Sequence, residues 1–322
     1  MKEAVFIKQN KTRWEEFEQA VKGGSKIDPD RLAELFIQVT DDLSFARTQY
    51  PDSRTTKYLN GLAGKVHLEI YKNKREDKNR FITFWTNEIP DVMYETRRPL
   101  LVAFIIFIVT AVIGGLSARY DDTFVRLILG DNYVNMTLEN IKNGNPTGVY
   151  SDSSPMMMFV YIAWNNILVS FRVFVFGVFA SLGTAYFLGQ NGIMLGAFVI
   201  FFANEGQFHQ AFPVIMLHGT IELSSIVIAS AAGFTMGNSL LFPGTYPRLA
   251  SFKMGALKGL KIVTGLVPFF LLAAFIESFI TRYAFMHWSI KAIIIALSAM
   301  LMIFYFIVYP NLKHRHGKLY TH

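Results

Sequence analysis

The chain has 322 residues, of which 52% are hydrophobic and 17% charged, and its formal net charge is +7. It has no cysteine, which excludes disulfides, iron–sulfur clusters and thiolate zinc sites. Residues 1–98 hold 18 Lys/Arg and 16 Asp/Glu, whereas the other 224 residues hold 13 and 8. The first part has a soluble composition and the second a membrane composition. Because the positive excess lies beside hydrophobic segments, anionic lipid and membrane topology explain it better than a nucleic-acid partner.

Residues 1–80 contain three segments with helical periodicity. Thr12-Arg13-Trp14-Glu15 has the pattern of a capping box, and Gly23-Gly24 is expected to end the helix that follows it. Asp28-Pro29 marks the start of a second helix, and a third is predicted from about Thr55 to Lys78. We predict a cytoplasmic three-helix bundle without site chemistry. Its expected core is Trp14, Phe17, Val21, Leu32, Leu35, Phe36, Val39, Leu43, Ala46, Leu59, Leu62, Val66 and Ile70.

Residues 81–98 join this bundle to the hydrophobic part of the chain. They are apolar but interrupted by Pro90, and they end in Arg97-Arg98. This pattern predicts an elbow helix that lies in the membrane interface. Residues 99–310 then form the predicted transmembrane domain, and residues 311–322 a basic cytoplasmic tail.

The hydrophobic pattern of residues 99–310 predicts an all-α, polytopic membrane protein with about six spans. From Met156 to Leu188 the chain is apolar for longer than one ordinary span, so Met156 to about Ser170 is interpreted as an interfacial or re-entrant helix. Gln190-Asn191-Gly192 is interpreted as a tight turn. Residues 238–261 are expected to form a basic connector on the inner leaflet. The predicted spans are Leu100–Leu116, a second ending at Leu188, a third ending near Glu205, Pro213–Gly237, Ile262–Thr281 and Ile290–Tyr309.

The distribution of basic residues predicts the orientation of these spans. Arg97-Arg98, the 238–261 connector and the tail Lys313-His314-Arg315-His316 fall on one side in a six-span arrangement. Positive charge marks the cytoplasmic side, so both termini are expected inside. The span count must then be even, and four spans with re-entrant segments would fit this rule equally well. The acidic connector of residues 118–155, with a short amphipathic helix near Phe124–Ile141, is expected outside.

A few polar side chains fall at membrane depth, where a charge costs at least about 2.5–3.5 kcal/mol. Glu222 lies near mid-span, His218 lies one helical turn before it, and Glu277 lies toward the outer end of the fifth span. Arg172 is the expected basic partner at that level. Two interpretations stay open: the polar groups, with Asn165 and Asn166, hold helices together, or they line a cavity that binds a proton, a polar headgroup or a lipid-linked glycan.

His218 and Glu222 also have the i, i+4 spacing of two ligands to one zinc ion. A catalytic zinc usually has three protein ligands. The third could come from Glu277 or His209, but the spacing alone is weak evidence, so we predict no metal or other cofactor. Glycines and serines also recur at four-residue spacing, as in Gly192 and Gly196, which lets helices pack closely.

Several of these motifs together resemble the stage II sporulation protein M family. The motifs are Asn165-Asn166, Asn191-Gly192, His218-Gly219-Thr220-Ile221-Glu222-Leu223 and Ala274-Phe275-Ile276-Glu277-Ser278-Phe279. The resemblance covers about residues 95–310, and H-G-x-x-E-L is its most specific element. It adds Gly192 and Gly219, as packing residues, to the polar positions already selected.

The resemblance implies a protein of the bacterial or archaeal cytoplasmic membrane. The sporulation member localises peptidoglycan-degrading partners and does not itself cut glycan. The present chain has an additional N-terminal helical domain, so a general envelope role is expected. The leading hypothesis is a non-enzymatic scaffold that contacts the lipid bilayer, other membrane or envelope proteins and a cytoplasmic partner of the bundle, and that could form a homo-oligomer. The alternative is a transporter or an intramembrane enzyme that uses His218, Glu222 and Glu277.

Overall fold

The computed structural model describes residues 3–21, 29–72, 80–144, 154–281 and 286–319. It contains α-helices with short π and 3-10 segments and no β-strand among these residues, which confirms the all-α fold class. The chain divides into two compact units, Met1–Arg80 and Phe81–His322.

The first unit is a bundle of three helices, α1 (Glu3–Val21), α2 (Pro29–Gln49) and α3 (Arg54–Lys72), as predicted. Apolar residues at helical spacing face the shared interior because this removes their surface from water. The buried core comprises Phe6, Trp14, Phe17, Leu35, Val39, Leu43, Ala46, Leu59 and Leu62. A partly buried polar contact joins α1 to α2: the Asp42 carboxylate accepts hydrogen bonds from Arg13 at 2.6 Å and from the Trp14 indole at 2.8 Å.

The capping box predicted at Thr12 is wrong, since α1 begins nine residues earlier, at Glu3. Apolar Phe6, whose side chain is 3% exposed, extends the buried face of the helix toward its N-terminus. Other predictions lie outside the described residues, namely Gly23-Gly24, Asp28, the last turns of the third helix as far as Lys78, and the side chains of Val21, Leu32, Val66 and Ile70.

The second unit contains six helices that are long and apolar enough to cross a membrane, which confirms the predicted span count. We number them span 1 to span 6. Four connections between them are short, whereas spans 1 and 2 are separated by helices Asp122–Leu129 and Asp131–Lys142 instead of the single helix expected near Phe124–Ile141. Gly130, at φ 85°, separates the two. The spans are Arg97–Tyr120, Pro155–Val178, Leu182–Asn204, Phe208–Leu241, Arg248–Ile280 and Trp288–Arg315.

The break between spans 2 and 3 lies elsewhere than predicted. Met156 to Ser170 belongs to the continuous helix Pro155–Val175, so it is not re-entrant, and Gln190-Asn191-Gly192 lies inside the helix Leu182–Asn204. The chain turns instead at Ala180 and Ser181, whose φ values are 51° and 67°. Non-glycine residues rarely adopt this left-handed backbone, so sequence composition carried no signal for the turn.

The basic connector predicted over residues 238–261 is also shorter than expected. Span 4 continues to Leu241 and span 5 begins at Arg248, so Gly255 and Gly259 lie within span 5 and pack against span 4. A Cβ atom at Gly259 would overlap the ring of Phe174 in span 2. Close backbone approach between these spans therefore requires glycine at that position.

Glycine also permits the close packing of spans 1 and 3, which make the most extensive contacts of any pair of helices in the described chain. A Cβ on Gly196 would overlap the backbone of Ala111 and Gly115, and one on Gly192 would overlap Thr110. The paired residue numbers increase together along both spans, so the two helices run parallel. The last turn of span 2 packs on span 4 in the same manner, with Gly177 against Gly233.

The elbow segment, which precedes span 1, consists of Arg80–Thr83, a π-helical turn at Phe84–Glu88 and the helix Ile89–Glu95. Its acidic residues face basic residues of spans 5 and 6. Glu95 pairs with Lys258 at 2.6 Å, Glu88 with Lys261 at 2.7 Å and Asp91 with Lys313 at 2.9 Å. The start of span 1, the start of span 5 and the end of span 6 therefore lie together, and we call this side of the second unit the basic end.

Candidate functional site

Three ionisable side chains from two adjacent spans converge in the second unit. His218 and Glu222 lie one turn apart on span 4, and Glu277 lies near the end of span 5 that is remote from the basic end. One ligand atom from each lies within 4.8 Å of the other two. The shortest ion-pair distance among them is 3.9 Å, from His218 Nε2 to Glu277 Oε1. We call these three residues the His–Glu–Glu cluster.

Glu277 reaches the cluster from a π-helical turn, Ile276–Ile280. The amide of Thr281 donates to the carbonyl of Ile276 at 2.8 Å, five residues earlier. Such wide turns are rare in proteins overall, but those that occur are often found at functional sites. The added residue changes which side chains of the helix face a neighbour. Here Glu277 and Thr281 both face His218.

The hydrogen bonds of Thr281 indicate which nitrogen of the neutral His218 ring carries the proton. The Thr281 hydroxyl donates its hydrogen to the carbonyl of Ile276 at 3.1 Å, so toward His218 it can act only as an acceptor. His218 Nδ1 lies 3.3 Å from that hydroxyl oxygen and is therefore the donor. In the neutral ring, Nε2 is then unprotonated and presents its lone pair toward Glu277.

Asn166 and Asn165, adjacent on span 2, occupy different environments. Asn166 is 5% exposed and lies beside the Glu222 carboxyl, yet its amide Nδ2 has no hydrogen-bond partner of ordinary geometry among the described residues. A buried amide left without a partner costs about 1–3 kcal/mol. Asn165 is exposed on the outer face of the span and does not join the cluster.

Arg172 does not pair with either glutamate, contrary to the expected ion pair. It is exposed near the end of span 2, close to Phe174, whose ring contacts span 5 at Gly259. Glu277 lies five turns further along span 5, about 27 Å away at 1.5 Å per residue. The error follows from the incorrect re-entrant helix, which placed Arg172 at the opposite end of its span. Among the described basic side chains, it is instead His218 that pairs with one of these carboxylates, that of Glu277.

Two further residues at membrane depth were not identified by the sequence patterns. Thr281 lies one turn after Glu277, so its position on the same helical face was the available signal. Lys291 is a buried basic residue of span 6, with a side chain 9% exposed and contacts of its own. Lys291 lies only three residues after the start of span 6, where basic residues at the membrane interface are ordinary, so its position did not distinguish it.

A separate apolar cavity of about 510 Å³ lies at the basic end. It is bounded by the elbow, span 1, span 4 and span 6, and basic and aromatic groups lie at one side. The Arg97 guanidinium stacks over the Tyr94 ring at 4.4 Å, and His314 contacts the same ring. Apart from the polar residues Ser224 and Asn311, the lining is otherwise apolar and includes Leu101, Phe104, Val227, Ile303, Phe306 and Ile307.

Comparison with known proteins gives two family matches. Residues 103–282 match the family described as stage II sporulation protein M, and residues 4–72 match a domain of unknown function, DUF8413. No curated protein and no solved structure matches the chain. The first match contains His218, Glu222, Glu277 and Thr281 and extends over more than half of the chain. This protein therefore belongs to the stage II sporulation protein M family, as a long form with an additional N-terminal helical domain.

Proposed function

We propose that this protein is an integral scaffold of the cell envelope, in the cytoplasmic membrane of a bacterium or archaeon. The observation that carries the proposal is the division of the chain into a charged helical bundle and a six-span unit, each with a family match of its own. In this function the bundle recruits a soluble partner, and the spans engage other membrane or wall-remodelling proteins. Membership of the stage II sporulation protein M family supports an envelope role.

Charge supports a cytoplasmic position for the bundle and both termini. The basic end carries Arg97, Lys258, Lys261 and Lys313. Cytoplasmic loops carry an excess of Lys and Arg, so the basic end is assigned to the inside. Cysteines introduced singly at Gly144 and Arg248 test this assignment, because the native chain has none. Labelling of Gly144→Cys only from the cytoplasmic side would contradict it.

The bundle offers a surface on which partner recruitment can be tested. Ile37 on α2 is 61% exposed, the highest value among the large apolar side chains described on that helix. We propose that it contacts a protein partner. A photoreactive amino acid at position 37 of the full chain should crosslink to a protein in native membranes, whereas one at exposed Asp41 should crosslink less. Crosslinks to lipid alone, or none at either position, would overturn this contact.

A second candidate function, transport or intramembrane chemistry, is favoured by the convergence of the His–Glu–Glu cluster. Glu222→Gln separates the two candidates because it removes a charge but conserves shape. For a scaffold, the folded variant should retain its crosslinked partner and its cellular activity. Loss of activity in a folded variant that keeps its partner would favour transport or chemistry.

The bilayer itself is a partner, and the cavity at the basic end indicates how it is contacted. We propose that an acyl chain of an anionic phospholipid occupies the cavity with its headgroup beside Arg97, since basic pockets between spans bind such headgroups. Native mass spectrometry of the purified protein should show retained anionic phospholipid, reduced by Arg97→Gln and by Leu101→Trp. Equal retention of a zwitterionic phospholipid would overturn the choice of headgroup.

A further inference from the structure

We propose that His218, Glu222 and Glu277 bind one divalent transition-metal ion of the zinc class. The inference does not depend on the scaffold function, and it specifies the ligand of the second candidate function. It rests on donor type, donor separation, charge and the surrounding hydrogen bonds.

The donor atoms have the spacing of a site that closes around an ion. Zinc binds histidine nitrogen at about 2.0–2.1 Å and carboxylate oxygen at about 2.0–2.2 Å, so donors on one tetrahedral ion lie roughly 3.4 Å apart. In the cluster they lie within 4.8 Å, and His218 Nε2 is 3.9 Å from Glu277 Oε1. Displacements of about 1 Å, within the rotamer freedom of two glutamates, would complete three-ligand coordination.

Charge balance favours a dication at this depth. Two ionised carboxylates and a neutral imidazole carry a charge of −2, which an isolated site within the bilayer bears only at high cost. A divalent ion neutralises that charge in one step. Because one donor is imidazole, the site matches zinc, iron, cobalt or nickel better than magnesium or calcium, which prefer all-oxygen ligands.

The hydrogen bonds around the cluster match an outer coordination shell. The bond from His218 Nδ1–H to Thr281 directs Nε2 toward Glu277, and histidines that bind metals almost always make such a bond with the ring nitrogen that does not bind the metal. Asn166 places a buried amide beside Glu222, where it would donate to the carboxylate oxygen not bound to the ion. These two groups belong to different spans, so the shell joins spans 2, 4 and 5.

Metal analysis of the full-length protein in detergent tests the inference. After chelator treatment and titration with zinc, the protein should bind one ion per chain. Glu277→Gln and His218→Asn should each lower zinc affinity by about 100-fold or more, since each removes an inner ligand. The matched controls His209→Asn and Glu205→Gln, both exposed near the start of span 4, should bind as the native protein does.

The outcomes distinguish a metal site from alternatives. Cobalt(II) bound to the native protein should give the visible absorption of a four-coordinate ion, and this reading does not depend on the folding of any variant. Failure of the native protein to bind zinc or cobalt would overturn the inference and indicate that protons alone neutralise the glutamates. Equal binding by folded Glu277→Gln and the controls would also overturn it. Neither result affects the crosslinking test of the scaffold.

Discussion

His218 on span 4 donates through Nδ1 to the hydroxyl of Thr281, the residue that closes the π-helical turn of span 5. This bond orients the imidazole so that Nε2 faces Glu277. Thr281→Val removes the acceptor and should lower zinc affinity by about 10–100-fold, the usual effect of losing an outer-shell partner.

Two control variants accompany Thr281→Val in the zinc titration. Thr281→Ser keeps the hydroxyl and should restore most of the affinity. Thr220→Val removes only a hydrogen bond to the carbonyl of Met216 within span 4, so it should bind zinc normally. If Thr281→Val binds as tightly as Thr281→Ser, the proposed orienting role is wrong.

Glycine substitutions should show which buried glycines are required for close helix packing and which are merely buried. A Cβ on Gly196 would overlap the backbone of Ala111 in span 1, which cannot move without displacing the helix. Gly196→Ala should therefore destabilise the protein by at least about 1–3 kcal/mol. Thermal unfolding in detergent measures the effect.

Gly219→Ala is the matched control for Gly196→Ala. The nearest atom to a Cβ at this position is the flexible end of Met216 at 3.7 Å, so the added methyl makes ordinary contact. Alanine also favours the helix by as much as about 1 kcal/mol. A larger loss of stability for Gly219→Ala than for Gly196→Ala would contradict the packing described above.

The polar contact inside the bundle should contribute measurably to its stability. Asp42 accepts from Arg13 and from the Trp14 indole, so Asp42→Ala leaves both donors without this partner. We expect a loss of about 1.5–3 kcal/mol. Hydrogen exchange of the full chain should show faster exchange in α1 and α2. Asp41→Ala, at a neighbouring exposed position, should change the exchange rates little. Equal effects of the two variants would contradict a stabilising role of Asp42.

The ion pairs of the elbow predict a charge-swap effect. Glu88→Lys places two cations together at Lys261 and should increase hydrogen exchange of residues 84–95. The effect is expected to be small, about 0.2–1 kcal/mol, because both groups are partly exposed. Adding Lys261→Glu should restore the native exchange rate. If the double variant exchanges as fast as Glu88→Lys, the pair does not hold the elbow.

The connector helix Asp122–Leu129 should lose stability in acid. Hydrogen bonds from the side chain and amide of Thr123 to Asp121 hold the pKa of that carboxyl below its usual range. A lowered pKa means that the stabilisation is present above the ordinary carboxyl pKa and is lost as pH falls through the lowered value. The protection factors of residues 122–129, which correct for the intrinsic pH dependence of amide exchange, should fall over that range in the native protein. In Asp121→Asn, which keeps a capping oxygen without the charge, this fall should be absent.

Hydropathy was sufficient to predict the six spans and the bundle, because burial of apolar surface determines both. It could not locate the turn at Ala180 and Ser181, since neither residue favours left-handed backbone. It also misplaced Gln190-Asn191-Gly192. There the glycine serves close packing against Thr110, and Asn191 satisfies its amide on the carbonyl of Phe187 within the helix.

The candidate site was predictable only in part. The cost of charge in the bilayer selected His218, Glu222 and Glu277, and helical spacing placed the first two together. Glu277 approaches His218 and Glu222 only because spans 4 and 5 pack together. The orientation of the Glu277 side chain depends on the π-helical turn. No local pattern predicts either feature. Thr281 was missed although its position one turn after Glu277 placed it on the same helical face.

The left-handed turn at Ala180 and Ser181 has a consequence for biogenesis. Only three residues separate the end of span 2 from the start of span 3. The connection is therefore too short to form a soluble loop at the membrane surface between two separate insertion events. The short turn therefore favours entry of the two spans into the bilayer as one helical hairpin. A ribosome pausing after Val178 would hold half of an insertion unit, and span 2 would become stable in the lipid only when Leu182–Asn204 has followed it.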